Sequence, residues 1–177
     1  MKACIIREFK EINKNLTITS DFSSNAHRIY ELELACNDNI HSNDYISALE
    51  KLTEIIEDFS ERKCGNLYSD VIVRVEFTRL LLLLILELPA NHQSPSHVKI
   101  LERFSWNNEN FSAESLLRNL SLFQCEDDLI LLFEVLVSLC RKRQYESIKE
   151  ICDMISCHHL ITVEQNMLLT NLTKKFL

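Results

Sequence analysis

The chain has 177 residues, a formal net charge of −7 and a hydrophobic fraction of 46%, which suits a globular domain and excludes global disorder. Its acidic balance argues against a nucleic-acid surface, because phosphate contacts need concentrated Lys and Arg. A single glycine, Gly65, stands where ordinary usage of about 7% would give roughly twelve. Phosphate-binding loops, dinucleotide turns and nucleophile elbows all need glycine, so we expect no enzyme activity and no cofactor.

The cysteines and the apolar runs indicate a compartment. The seven cysteines are odd in number and most lie among apolar residues with helical spacing, a pattern typical of reduced, buried thiols. The first residues lack the apolar core of roughly 7 to 15 residues that a signal peptide has. The most apolar run, Leu80 to Leu86, is much shorter than the roughly 20 residues of a membrane span and predicts a buried core helix. We therefore expect an intracellular protein, nuclear or cytoplasmic, without a membrane partner.

Apolar residues recur at helical spacing through the first third of the chain. The pattern predicts helices over 3–14 and 24–37, then a turn over 37–43. Asn43 or Asp44 is expected to cap a third helix, and Gly65 follows its last cations, where a left-handed residue closes a helix.

The fourth predicted helix, 66–88, is apolar around its whole circumference in its second half. A helix without a polar face must be covered on nearly all sides, so we expect it at the centre of the fold. Pro89 ends it, and the segment 89–96 is the clearest loop. We predict a single all-helical domain over 1–177, with 89–96 as the point of any subdivision.

The second half of the chain continues the helical pattern. It predicts helices over 96–106, 112–124, 127–143, 145–158 and 162–177. The last opens with Thr162-Val163-Glu164-Gln165, a capping box. The predicted fold class is all-α, an antiparallel array of about eight or nine short helices in which αα-hairpins surround a central apolar helix.

Two segments are alike, residues 43–52 and 143–152. In each, two polar residues turn the chain and a tyrosine, Tyr45 or Tyr145, begins an antiparallel helix, where its ring can fill the wedge between diverging helices. The corner resembles the inter-helix turn of tetratricopeptide-type repeats and the helical dimerisation domain of telomere-repeat-binding factors, the TRF homology domain. Asn43 and Arg143 stand in place of the glycine of those turns. The resemblance implies helical hairpins.

Cys152, Cys157, His158 and His159 form the one cluster of soft metal ligands in the sequence, with Cys140 nearby. Zinc sites prefer cysteines two to four residues apart, whereas Cys152 and Cys157 are five apart and roughly 140° apart around a helix. The pattern favours packed thiols and a polar helix end, so we expect no metal.

An aromatic helix end offers candidate interface residues: Phe104, Trp106 and Phe111, beside an Asn-rich turn. Such residues either anchor a partner protein or pin a loop to the core.

The sequence thus predicts a non-enzymatic scaffold or adaptor that binds another protein, in a hetero-complex or a homodimer, with no small-molecule ligand. We expect a subunit of a larger intracellular complex, with a nuclear, chromosome-associated complex among the options. One alternative is a small helical bundle of the viral type that modulates host signalling or apoptosis. Another is a metal-dependent helical-bundle enzyme, although the Glu-x-x-His pairs of such enzymes do not occur here.

Overall fold

The computed structural model describes residues 26–62, 69–89, 92–105 and 126–176. These residues form seven helices and no strand, which confirms the all-α prediction. The helices are α1 (26–41), α2 (Tyr45–Arg62), α3 (Ser69–Leu86), α4 (Pro95–Arg103), α5 (Glu126–Lys142), α6 (Tyr145–Ser156) and α7 (Val163–Phe176). The expected count of eight or nine is not supported. Two of the predicted helices, 3–14 and 112–124, lie outside the described residues, as does Gly65.

Helix α1 is longer than predicted. The sequence suggested a turn over 37–43, but the helix continues to residue 41 and the chain turns at 42–44. The prediction was wrong because it gave the polar run after residue 36 more weight than the helical spacing of Cys36 and Ile40. Their side chains are 1% and 0% exposed, so burying Ile40 in the core carries the helix one turn further.

The corners between α1 and α2 and between α5 and α6 share one backbone geometry. Asn43 and Arg143 adopt left-handed conformations, with φ of 62° and 53°. In each corner the N–H of this residue donates to the carbonyl three residues back, at 3.1 and 3.2 Å, and the next N–H donates to the carbonyl five residues back, at 2.8 and 3.1 Å. This is the Schellman closure of a helix, which satisfies its last carbonyls and lets the next helix begin at once.

Each corner tyrosine contacts α7. The Tyr45 hydroxyl donates to Asn43 Oδ1 and accepts from Asn171 Nδ2, at 2.8 Å each. The Tyr145 ring lies 5.8 Å from the Phe176 ring, measured between centroids, and 44% of the residue is exposed. The two hairpins therefore both pack against the last helix.

Helix α3 is the central element, as predicted. Its residues Leu80 to Leu84 are at most 8% exposed, and it packs against α2, α4, α5 and α7. Helix α7 runs beside α3 in the same direction: Gln165 contacts the carbonyl of Arg74 near one end, and Lys175 Nζ donates to the Ile85 carbonyl near the other. The core joins residues from both sides of the 89–96 loop. The domain assignment itself stays a prediction.

Helix α4 is held to α3 by a buried arginine. Ser94 caps α4 by accepting the N–H of His97, and Pro95 occupies the first helical position, where no N–H is needed. Arg79, 2% exposed, donates to Ser96 Oγ at 3.2 Å and to Glu76 Oε1 at 3.4 Å. A buried charge needs such partners, so this contact fixes where α4 lies.

Candidate protein-interaction groove

A groove of about 350 Å³ opens between α1, α3 and the start of α7. Buried side chains from three helices lie deep in it: Cys36 of α1, Leu52 of α2 and Val75 of α3. The remaining lining residues are Tyr30, Glu33, Leu34, Asn37, Arg74, Thr78, Thr162 and Glu164. Concave, largely apolar surfaces of this kind are where proteins take up ligands or partner helices.

Two large apolar side chains of α1 stand open to solvent at the groove. Tyr30 is 62% exposed and Leu34 50% exposed. They are four residues apart, so they lie on one face of the helix, beside the buried stripe of Ile29, Leu32 and Cys36. The apolar surface of α1 is therefore wider than the rest of the described fold covers. Contiguous exposed apolar surface marks interaction sites.

A second apolar pair lies close to the groove in sequence, at the turn into α7. Leu160 is 45% exposed and Val163 69% exposed. Val163 stands between Thr162 and Glu164, both of which line the groove. Four of the exposed large hydrophobic residues thus lie in or next to the lining segments.

An ion pair joins α1 to α3 across the groove. Arg74 donates to Glu33 Oε1 from Nε at 3.1 Å and from Nη2 at 2.7 Å. The two side chains are 40% and 23% exposed, so the pair contributes at most about 1 kcal/mol of stability. Its main effect is to orient α1, together with Arg28, which binds Glu54 and Asp58 of α2 at 2.9 and 3.0 Å.

The thiol deep in the groove is held in its protonated form. Burial, reinforced by the carboxylates of Glu33 and Glu164, raises the pKa of Cys36 to about 12. The thiol therefore stays protonated at neutral pH, and thiolate is the reactive form. Burial acts in the same way on Cys140 and Cys152, raising the pKa of these thiols to about 12 and about 11.

The predicted capping box forms and builds one wall of the groove. The Thr162 hydroxyl accepts the N–H of Gln165 at 3.2 Å, and Gln165 Oε1 accepts the N–H of Thr162 at 3.0 Å. The amide nitrogen of Gln165 also donates to Arg74 O and to Thr78 Oγ1, at 3.0 Å each. This side chain, 1% exposed, closes the start of α7 and fixes it to α3.

The predicted interface aromatics divide between the core and the undescribed chain. Phe104 is 4% exposed, and its ring centroid lies 5.9 Å from that of Phe77 and 6.5 Å from that of Phe133. It therefore pins the end of α4 to the core, and its role as an interface residue stays a prediction. Trp106 and Phe111 lie outside the described residues.

Of the four soft metal ligands, Cys152 lies in α6, and Cys157, His158 and His159 follow directly after the end of this helix. Cys152 is buried and Cys157 exposed, while the rings of His158 and His159 stack with centroids 4.7 Å apart. Nδ1 of His158 accepts the N–H of Leu160 at 3.3 Å. Within the described residues, no three His, Cys, Asp or Glu side chains are grouped to hold a metal ion.

Sequence reasoning missed Tyr30 and Leu34, which carry the groove's exposed apolar surface. The helical spacing of the apolar residues identified the buried stripe of α1 correctly. The available signal was a second apolar pair, Tyr30 and Leu34, which is spaced i, i+4 and displaced by one residue from that stripe. It shows a helix face wider than one neighbour can cover.

None of the described helices combines the length and apolar character needed to cross a lipid bilayer. The buried run Leu80 to Leu84 bears out its assignment to the core.

Comparison with known proteins identifies two mammalian relatives. No family model matches the chain. The 40-kDa huntingtin-associated protein of Rattus norvegicus is 36% identical over 102 residues, and that of Mus musculus is 35% identical over the same length. The match covers 58% of this chain and 25% of each relative. Neither comparison shows a likeness to telomere-repeat-binding factors. The chain is therefore similar to a part of the 40-kDa huntingtin-associated protein.

Proposed function

We propose that this chain is a non-enzymatic protein-interaction module whose partner is huntingtin or a protein of its kind. The observation that carries the proposal is the 36% identity over 102 residues to a protein named for its association with huntingtin. The relatives are about four times longer than the matched stretch, so the proposal concerns one binding segment of such a protein.

The groove supports the proposal by supplying a contact surface. Its exposed pair, Tyr30 and Leu34, is of the aromatic and aliphatic type that anchors interfaces, and Glu33 and Arg74 provide a polar rim. The raised pKa values of Cys36, Cys140 and Cys152 keep these thiols protonated, a state that suits packing and not catalysis.

The setting of this module is part of the proposal. We place it in an intracellular complex, as a subunit that contributes a helical surface. Trp106 and Phe111, which lie outside the described residues, remain candidate interface residues.

The proposal is tested by measuring binding of the purified full chain to rat huntingtin by biolayer interferometry. We expect saturable binding that Leu34→Asp weakens at least about tenfold, because a charge would be desolvated in an apolar contact. Val98→Asp is the matched control, since Val98 is 37% exposed on α4 and does not line the groove. Absence of binding at micromolar concentration would refute huntingtin as the partner. Equal loss in both variants would remove the groove from the contact.

A further inference from the structure

Among the described residues, none covers the exposed side chains of Tyr30 and Leu34 at the groove. They lie on the first described helix, and the chain continues before it through residues 1–25. What precedes α1 in the sequence is therefore tethered beside the uncovered surface.

The preceding sequence contains an apolar stripe of matching size. Residues 3–14 lie outside the described residues, and their spacing of Ile5, Ile6, Phe9 and Ile12 predicts an amphipathic helix. The part of α1 that lines the groove, residues 30–37, extends about 10 Å at 1.5 Å per residue. Two turns of a second helix are enough to span that length.

The connection is long enough for this stretch to fold back. Residues 15–25 separate it from α1 and reach about 40 Å when extended. Leu34 lies about 12 Å along α1 from residue 26. The tether therefore imposes no strain and gives the segment a high effective concentration at the groove.

The charges of the two surfaces are complementary. Residues 3–14 carry three cationic side chains, Arg7, Lys10 and Lys14, against the two carboxylates Glu8 and Glu11, a side-chain balance of +1. The groove lining carries Glu33 and Glu164 against Arg74. Both carboxylates contribute to raising the pKa of Cys36, so both lie close to the deep part of the groove.

We propose that residues 3–14 form a helix that docks in the groove of the free chain, with its apolar stripe against Tyr30 and Leu34, and that a protein partner must displace it. The displacement rests on the proposed function, whereas the docking does not. The N-terminal segment is then an intramolecular competitor, and the apparent affinity for the partner equals the intrinsic affinity multiplied by the fraction of grooves left open.

Hydrogen–deuterium exchange of the full chain tests the docking without any partner. We expect amides of residues 5–14 to exchange at least about tenfold more slowly than in an unstructured peptide of the same sequence. Phe9→Asp and Leu34→Asp should both return them to the unstructured rate, because each places a charge in the same contact. Ile46→Asp is the control, since Ile46 is 58% exposed on α2 and lies outside the groove lining, and it should leave the protection intact.

Protection of the α3 amides in all four proteins serves as the check that each variant is folded. Exchange of residues 5–14 at the unstructured rate in the unmodified chain would overturn the docking. Protection that persists in Leu34→Asp would overturn the groove as its site.

The displacement is tested with rat huntingtin as the probe. Phe9→Asp should bind at least about tenfold more tightly than the unmodified chain, since its groove is always open whereas tenfold protection leaves about a tenth of the grooves open in the unmodified chain. Equal affinity of the two proteins would overturn the displacement. If huntingtin binds neither protein, the proposed partner fails, while the exchange measurement decides the docking separately.

Discussion

The hairpins α1–α2 and α5–α6 turn with the same backbone geometry but differ in how much of their first helix is covered. Both corners close with a left-handed residue, at Asn43 and Arg143. In α5 the apolar residues from Leu132 to Leu139 include five that are at most 2% exposed, whereas α1 leaves Tyr30 and Leu34 at 62% and 50%. Corner geometry is a local property, while coverage of the helix depends on what packs against it.

This difference places the candidate function at the less covered hairpin. A fully packed helix can contribute stability only, since its side chains are already in contact. A helix with an open apolar pair retains surface that a second protein segment can bury. The two hairpins are therefore distinguished by exposure and not by their turns.

Leucine truncation in the two hairpins is the largest test of this distinction. Leu136 of α5 is fully buried, so Leu136→Ala should lower the free energy of unfolding by about 2–5 kcal/mol through lost burial and a cavity. In the Phe9→Asp background, where the groove is open, Leu34→Ala should change it by no more than about 0.5 kcal/mol, as is usual for exposed positions. Urea denaturation monitored by circular dichroism measures both.

A loss above about 2 kcal/mol in Leu34→Ala would contradict the comparison. It would mean that the helices of the described fold already bury this side chain. In the unmodified chain, docking of residues 3–14 predicts a loss that stays below this limit and falls to near zero when Phe9→Asp is also present.

The starts of α7 and α6 offer a second test, of intermediate size. Gln165→Ala removes a buried side chain that makes one cap bond and two bonds to α3, so we expect a loss of about 1–3 kcal/mol. Gln144, at the start of α6, makes no cap bond with its side chain and is exposed, so Gln144→Ala is the control and should be nearly neutral. Thermal unfolding of both variants compares them, and similar melting temperatures would refute the structural role of the capping box.

Local rules made much of the fold predictable from sequence. The capping box at Thr162, Pro89 after α3 and the apolar circumference of α3 all act within a few residues, so their effects can be read without the tertiary structure. The end of α1 was mispredicted for the opposite reason. Ile40 extends the helix because the core has room for it, which no local pattern shows.

The candidate site was harder to predict because it depends on an absence of packing. Tyr30 and Leu34 have the composition of core residues, and only their neighbours in space decide that they are exposed. Phe104 illustrates the converse, since its place at an aromatic helix end suggested an interface while Phe77 and Phe133 bury it. The groove residues were thus missed because the sequence does not show which residues are in contact in three dimensions.

The smallest expected change in stability concerns the residue that precedes the second helix at each corner. Asp44 and Gln144 occupy equivalent positions, after the left-handed residue and before the next helix. Asp44 Oδ1 accepts the N–H of Ser47 at 3.2 Å, whereas the Gln144 side chain caps nothing. Gln144→Asp should therefore stabilise the protein by about 0.5–1 kcal/mol, and Asp44→Gln should destabilise it by a similar amount.

A third variant separates the cap bond from the charge. Gln144→Glu adds the same negative charge at the helix start, but its side chain is one methylene longer than the short aspartate that caps a helix. It therefore tests the interaction of the charge with the helix dipole by itself. That interaction is worth about 0.3–1 kcal/mol at exposed sites. If Gln144→Glu matches Gln144→Asp in urea denaturation, the gain comes from charge alone. A gain confined to Gln144→Asp would show that the capping hydrogen bond, and not the charge, is what the corner before α6 lacks.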